Sequence, residues 1–165
     1  MKLVTVLVVL ISLVFVQCKT QQIYVVRHAE KTAASGDPEL TPDGLARAAA
    51  LAGLLKNKGI RQIYSTPTRR TMLTATPLSQ ATGVPVEVYD NNSLKQFLER
   101  TVASRRNTLI VGHSNTVPVI VNTLNPGVKV GPIADSDYDN LFLVRVRKNG
   151  KKETITSTYG QPTPD

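Results

Sequence analysis

The stretch Ile23-Tyr24-Val25-Val26-Arg27-His28-Ala29-Glu30-Lys31 decides how the rest of the chain is read. Ile, Tyr and two Val residues in succession are strand formers, and their lack of polar alternation marks a buried strand. The strand runs straight into an Arg-His pair. The chain holds only two histidines, so one of them stands where a buried strand ends.

Downstream, the same pattern repeats. The segment from Leu40 to Gly59 reads as a helix, with Thr41 as its cap and Pro42 in its first turn; Leu45, Ala48, Ala52 and Leu55 fall on one face. Ile60 to Ser65 is a second strand. Thr66 to Gly83 is a second helical segment, expected to kink or break at Pro77. Val84 to Tyr89 is a third strand. Ser93 to Arg106 is a third helix, opened by Ser93 and Gln96 in a capping-box pattern. Thr108 to Ser114 is a fourth strand running into a turn, and Asn115 to Leu124 a fourth helix. Asn125 to Asn140 is a loop. Leu141 to Gly160 reads as a hairpin turning at Asn149-Gly150. Strands alternating with helices predict one α/β domain with three αβα layers, its sheet mostly parallel. The hairpin adds an antiparallel edge.

On that map the unusual residues converge. Arg27 and His28 follow the first strand, Ser65 to Arg70 the second, and Gly112-His113-Ser114 the fourth. The carboxyl ends of parallel strands share one edge, where open α/β folds bind ligands. Both histidines can meet there, with Arg27 and with Arg69 or Arg70. Guanidinium forks match phosphate oxygens, and helices beginning after such turns offer free N–H groups to an anion. A neutral imidazole beside a phosphate is a nucleophile at phosphorus. Two histidines flanked by arginines make a poor metal site, so neither a metal nor a cofactor is expected.

The net charge of +8 and the pI near 9.8 favour anionic ligands or surfaces. Aromatic residues amount to 5% and no concentrated Lys/Arg run appears, which argues against a nucleic-acid partner. Met1-Lys2 followed by the apolar run Leu3 to Val16 suits a secretory signal over residues 1–17, with residues 18–165 as the folded domain. Cys18, the single cysteine, follows that run directly, and "VFVQC" resembles a bacterial lipoprotein signal. The expectation is an exported, cell-envelope or periplasmic protein tethered to a membrane through a lipidated Cys18.

Four segments in series resemble the histidine phosphatase superfamily, also called phosphoglycerate-mutase-like: "VVRHAEK", "LTPDGLARA", "YSTPTRRTMLTA" and "VGHSNTVP". The resemblance covers roughly Gln22 to Tyr159. It implies that His28 is the nucleophile and is transiently phosphorylated, that Arg27 and Arg70 bind the phosphoryl group, and that His113 stabilises it. Ser114 and Asn115 would line the entrance. The family often adds a carboxylic acid to protonate the leaving oxygen. Its usual Glu segment is not recognisable here; Asp90, just past the third strand, is the first candidate, Glu30 the second, and Asp135 and Asp137 follow. Without an acid, a better leaving group is expected, as in phosphohistidine or an acyl phosphate. The segment Asp135 to Phe142 reads as an ordinary turn feeding an edge strand.

The resulting expectation is a metal-independent phosphatase, of the histidine acid phosphatase type, acting on a small phosphorylated compound. A non-catalytic phosphate-binding module of the cell envelope is the alternative. A mutase is disfavoured, because only about 20 residues separate the third strand from the fourth.

Overall fold

The structure, a computed structural model, describes residues 20–33 and 35–164. The expected signal segment 1–17 and Cys18 lie outside the described residues. Six strands and four α-helices alternate as expected: β1 (Gln21–Arg27), α1 (Pro42–Leu55), β2 (Ile60–Ser65), α2 (Arg69–Thr82), β3 (Val86–Val88), α3 (Leu94–Ala103), β4 (Asn107–Gly112), α4 (Val117–Leu124), β5 (Asn140–Val146) and β6 (Lys152–Thr158). The sheet order is β3-β2-β4-β1-β5-β6. The first four strands are parallel, and β5 and β6 add an antiparallel edge.

β1 lies inside the sheet and is covered on both faces, which explains its unbroken apolar run. Ile23 and Val25 pack with Phe97, Ile120 and Val121 of α3 and α4. Tyr24 and Val26 face the other way, onto Leu51, Leu55 and Leu78 of α1 and α2. The three αβα layers follow from this alternation.

Local details depart from the sequence reading at three places. Leu45 is 53% exposed; the buried side of α1 instead carries Gly44, Arg47, Ala48, Leu51, Ala52 and Leu55. The helix is turned toward Gly44, because a Cβ there would stand 2.2 Å from the Glu30 carbonyl oxygen. Only glycine lets α1 approach the chain just past β1 that closely. Thr41 does cap α1, its hydroxyl accepting from the Gly44 N–H. Second, α2 runs through Pro77 without interruption. Third, Ser93 makes no side-chain cap; a 3-10 turn, Asn91–Ser93, precedes α3, and the Asp90 carboxylate caps it by accepting from the Asn92 N–H at 2.9 Å.

Candidate active site

The register of β1 against β4 pairs Arg27 with Gly112. The next residues on the two strands are His28 and His113, so two positions 85 apart in sequence emerge side by side. The ladder continues one step further, with the His28 N–H donating to the Gly112 carbonyl at 2.9 Å. The imidazole centroids lie 5.5 Å apart, with 67° between their planes. Gly112 is held small by its neighbours: a Cβ there would meet the Thr116 Oγ1 at 2.8 Å and the Tyr89 hydroxyl at 3.2 Å.

His28 is 3% exposed. Its Nδ1 lies 2.8 Å from the Ala29 carbonyl oxygen. A carbonyl can only accept, so Nδ1 carries the proton and Nε2 keeps its lone pair. Burial, then the charges of Arg27, His113 and Arg70, pull its pKa down to about 3, despite the opposing hydrogen bond to Ala29. The ring is therefore neutral at pH 7. The following residue is fixed too: the Ala29 N–H donates to Thr74 Oγ1, which donates to the Arg70 carbonyl. This ties the end of β1 to the first turns of α2.

His113 is half-buried, and its Nε2 lies 2.9 Å from Thr66 Oγ1. Arg70 Nη2 approaches its Nδ1 at 3.5 Å. Since a guanidinium only donates, Nδ1 is the acceptor, and Nε2–H points to Thr66. Burial, then Arg70 and Arg27, lower its pKa to about 4. Thr66 belongs to a hydroxyl chain with Thr71 and Thr68.

Arg27 is 3% exposed. Its Nη1 donates to three carbonyls of one loop, those of Ala134 at 2.7 Å, Asp135 at 3.1 Å and Asp137 at 2.8 Å. Tyr138 lies over its guanidinium at 4.1 Å and reaches the His28 ring at 6.0 Å. The segment read as an ordinary turn is thus packed onto the edge that holds the histidines. Arg70 leans on Asp37, with 3.6 Å between Nη1 and Oδ1. Asp37 also accepts the Arg69 N–H, filling the cap that the Thr68 side chain leaves open on α2. The Nε atoms of both Arg27 and Arg70 are buried without a protein partner. Two orphaned donors on guanidinium groups beside two neutral imidazoles call for an anion with several oxygens.

Of the residues singled out in the sequence, Arg27, His28, Arg70 and His113 come together. Asp90 does not join them. It is exposed, engaged in its cap, and follows β3, which lies three strand spacings or roughly 14 Å from β1. Glu30 is turned away into a bidentate pair with Arg47, at 2.6–3.0 Å. Asp135 has a side chain 98% exposed and stands 3.7 Å from Arg27 Nη2. The Asp137 carboxylate accepts from Asn140 Nδ2 at 2.5 Å. Arg69 faces solvent and pairs with Glu39. Ser114 and Asn115 border a neighbouring groove with Pro118 and Ile133. Thr66, Tyr138 and Asp37 went unread in the sequence. Thr66 sits inside the segment Tyr64 to Ala75, but no spacing rule separates its hydroxyl from its neighbours'.

The family model described as the histidine phosphatase superfamily (branch 1) matches residues 23–93. That span contains Arg27, His28 and Arg70, while His113 lies beyond it. No curated protein matches the chain by sequence. Among solved structures, the protein histidine phosphatase SixA complexed with tungstate is 19% identical, with a TM-score of 0.70, covering 84% of this chain and 97% of that one. A mycobacterial glucosyl-3-phosphoglycerate phosphatase is 14% identical, with a TM-score of 0.66, covering 86% and 99%. Phosphoserine phosphatase from Entamoeba histolytica, in complex with 3-phosphoglyceric acid, is 14% identical, with a TM-score of 0.58, covering 86% and 97%. At these identities the likeness establishes a common fold.

Proposed function

We propose, from the premise that the chain belongs to the histidine phosphatase superfamily over residues 23–93, that it hydrolyses a small phosphorylated compound through a phosphohistidine on His28. The observation that carries this reading is the state of His28: buried, neutral, its Nδ1 proton held by a carbonyl and its Nε2 lone pair left over. Nε2 attacks phosphorus, the bond from phosphorus to the leaving atom breaks, and its electron pair departs with that atom. Water then attacks the phosphohistidine, returns the lone pair to Nε2 and yields inorganic phosphate. The guanidinium charges of Arg27 and Arg70, close enough to both imidazoles to lower their pKa values, offset the charge on the transferring group. His113 borders the same space. The scheme calls on guanidinium charge and needs no metal.

The leaving atom must take up a proton, and no carboxylate among the described residues is hydrogen-bonded to either imidazole. An alkoxide is a strong base and leaves poorly without an acid. The site thus suits leaving groups that depart as weak bases: aryl phosphates, acyl phosphates and the imidazole of phosphohistidine.

The test is turnover of p-nitrophenyl phosphate with a chelator present, and capture of the phosphoenzyme. His28→Ala is expected to lower kcat/KM by at least about 10³-fold, and the label to map to His28. A His28→Ala protein that keeps its activity, or a label on another residue, overturns the mechanism. A wild type that binds phosphate but turns nothing over makes the chain a binding module.

A further inference from the structure

We propose that the pole of the domain opposite the histidines is a docking surface for an anionic lipid bilayer. Carboxylates crowd one end of the strand axis, where Arg27, Arg69 and Arg70 also lie, while exposed cations crowd the other. Asp37, Glu39 and Asp43 lie between β1 and the first turn of α1, Asp90 follows β3, and Asp135 precedes β5. All sit at the edge that carries the histidines. At the other edge stand Lys58 and Arg61 around the start of β2, Arg105 and Arg106 before β4, and Lys148 and Lys151 in the β5–β6 turn. The pairing of Gln21 with Val146 and of Ile23 with Thr108 puts those segments level with the beginning of β1. The six cations are exposed. None lies within ion-pair distance of a carboxylate among the described residues.

Four of them, Lys58, Arg61, Arg105 and Arg106, line a groove of 550 Å³ together with Thr20. Arg105 holds its place at φ +56°, in the left-handed region that favours glycine. Thr20 is where the described chain begins. The segment before it, with its apolar run from Leu3 to Val16, therefore leaves from the middle of the cationic face. A bilayer that holds the chain at or just before Cys18, two residues from Thr20, brings this face within a Debye length of the headgroups. No helix of the described residues is long and apolar enough to cross a membrane. The groove contains no aromatic ring, so it lacks the stacking platform that single-stranded nucleic acid uses. Clustered Lys and Arg beside a membrane-entering segment are attracted to anionic lipid over about a Debye length. The histidine edge lies a strand length away, about 23 Å, and faces the aqueous side.

The test is co-sedimentation of the full chain with vesicles of phosphatidylcholine alone and with phosphatidylglycerol added. The readout is the ratio of the two partition constants, which cancels insertion of the apolar segment. Replacing Lys58, Arg61 and Arg106 by Gln and Arg105 by Gly is expected to lower the ratio by about 600-fold, at about fivefold per charge. Arg105→Gly alone relieves the left-handed backbone, keeps the fold, and is expected to cost about fivefold. Lys31→Gln, which removes an exposed charge from the histidine edge, leaves the ratio unchanged. Raising salt to 1 M abolishes the wild-type preference. Equal binding to both vesicles, or an unaltered ratio in the Arg105→Gly protein, overturns the proposal. So does displacement from anionic vesicles by duplex or single-stranded nucleic acid at physiological salt. The readout involves no turnover, so it stands apart from the outcome for His28.

Discussion

A histidine that emerges from a buried strand has to choose between being charged and being buried, and His28 is held neutral. The unfolded chain titrates near pH 6.5 at each histidine. The folded values lie at about 3 for His28 and about 4 for His113, with burial as the first cause in both. Below pH 6.5 the unfolded chain therefore takes up protons that the fold refuses. Stability is full above pH 6.5 and declines as pH falls toward 3. We expect the fall in Tm between pH 7 and pH 4.5 to shrink in His28→Asn and His113→Asn proteins; equal falls in wild type and variants would contradict this. If the proposed hydrolysis holds, the same values place the acid limb of kcat/KM near pH 3 to 4 rather than near neutrality. A plateau in kcat/KM from pH 8 to about 5, after correction for ionisation of the substrate, is the expected profile. Arg27, His28 and His113 were legible because backbone position brings them together; position left Arg69 and Arg70 open, and only the family resemblance pointed to Arg70. The carboxylates were not legible. Glu30 sits two residues from His28, yet its partner Arg47 lies seventeen residues on, in another element, and proximity in sequence says nothing of that choice.

Between elements, two contacts decide whether the edge keeps its shape. The loop from Ala134 to Tyr138 is fastened by a single guanidinium nitrogen that donates to three of its carbonyls. Arg27→Met removes that donor and leaves the carbonyls unmatched. We expect a loss of about 3 kcal/mol and new proteolytic cleavage within 134–138, alongside the loss of turnover. Cleavage at the wild-type rate would show that the loop holds itself. The second contact is the seating of α1 on the chain past β1. Gly44→Ala puts a methyl 2.2 Å from the Glu30 oxygen, a backbone atom that cannot swing aside. About 3 kcal/mol of destabilisation is expected, measurable by urea unfolding, with turnover falling too because Glu30 is two residues from His28. At this scale the sequence was legible in kind and order but not in rotation. The spacing of Leu45, Ala48, Ala52 and Leu55 marked a helix correctly, yet the buried arc lies to the side of Leu45, set by a glycine's fit against a neighbour. Pro77 likewise reads as a break, while α2 passes through it, its Ala75 and Leu78 fixed in the core.

Across the whole molecule, the end of the chain is bound back to the site's first loop through one buried cation. Arg47 is 3% exposed. It takes a carboxylate from Glu30, the carbonyl of Tyr159 at 2.7 Å through Nη1, and that of Gln161 at 2.7 Å through Nη2. Gly160 lies between those two carbonyls at φ +73°, where a Cβ would approach Arg47 Nη1 at 3.0 Å. The guanidinium thus joins α1, the segment after His28 and the chain beyond β6. A buried pair in which all three guanidinium nitrogens donate is costly to halve. Glu30→Ala leaves the cation buried without its carboxylate and is expected to lose about 3–5 kcal/mol. Glu30→Gln keeps an acceptor and should lose less. Arg47→Met removes the cation but strands the carboxylate and both carbonyls, so a loss as large as that of Glu30→Ala is expected, with hydrogen exchange speeding up at residues 159–163. If Glu30 instead supplied the leaving-group proton, Glu30→Gln would cut kcat on alkyl phosphates while sparing Tm. The geometry leads to the opposite result, a lowered Tm with the ratio of alkyl to aryl phosphate turnover unchanged.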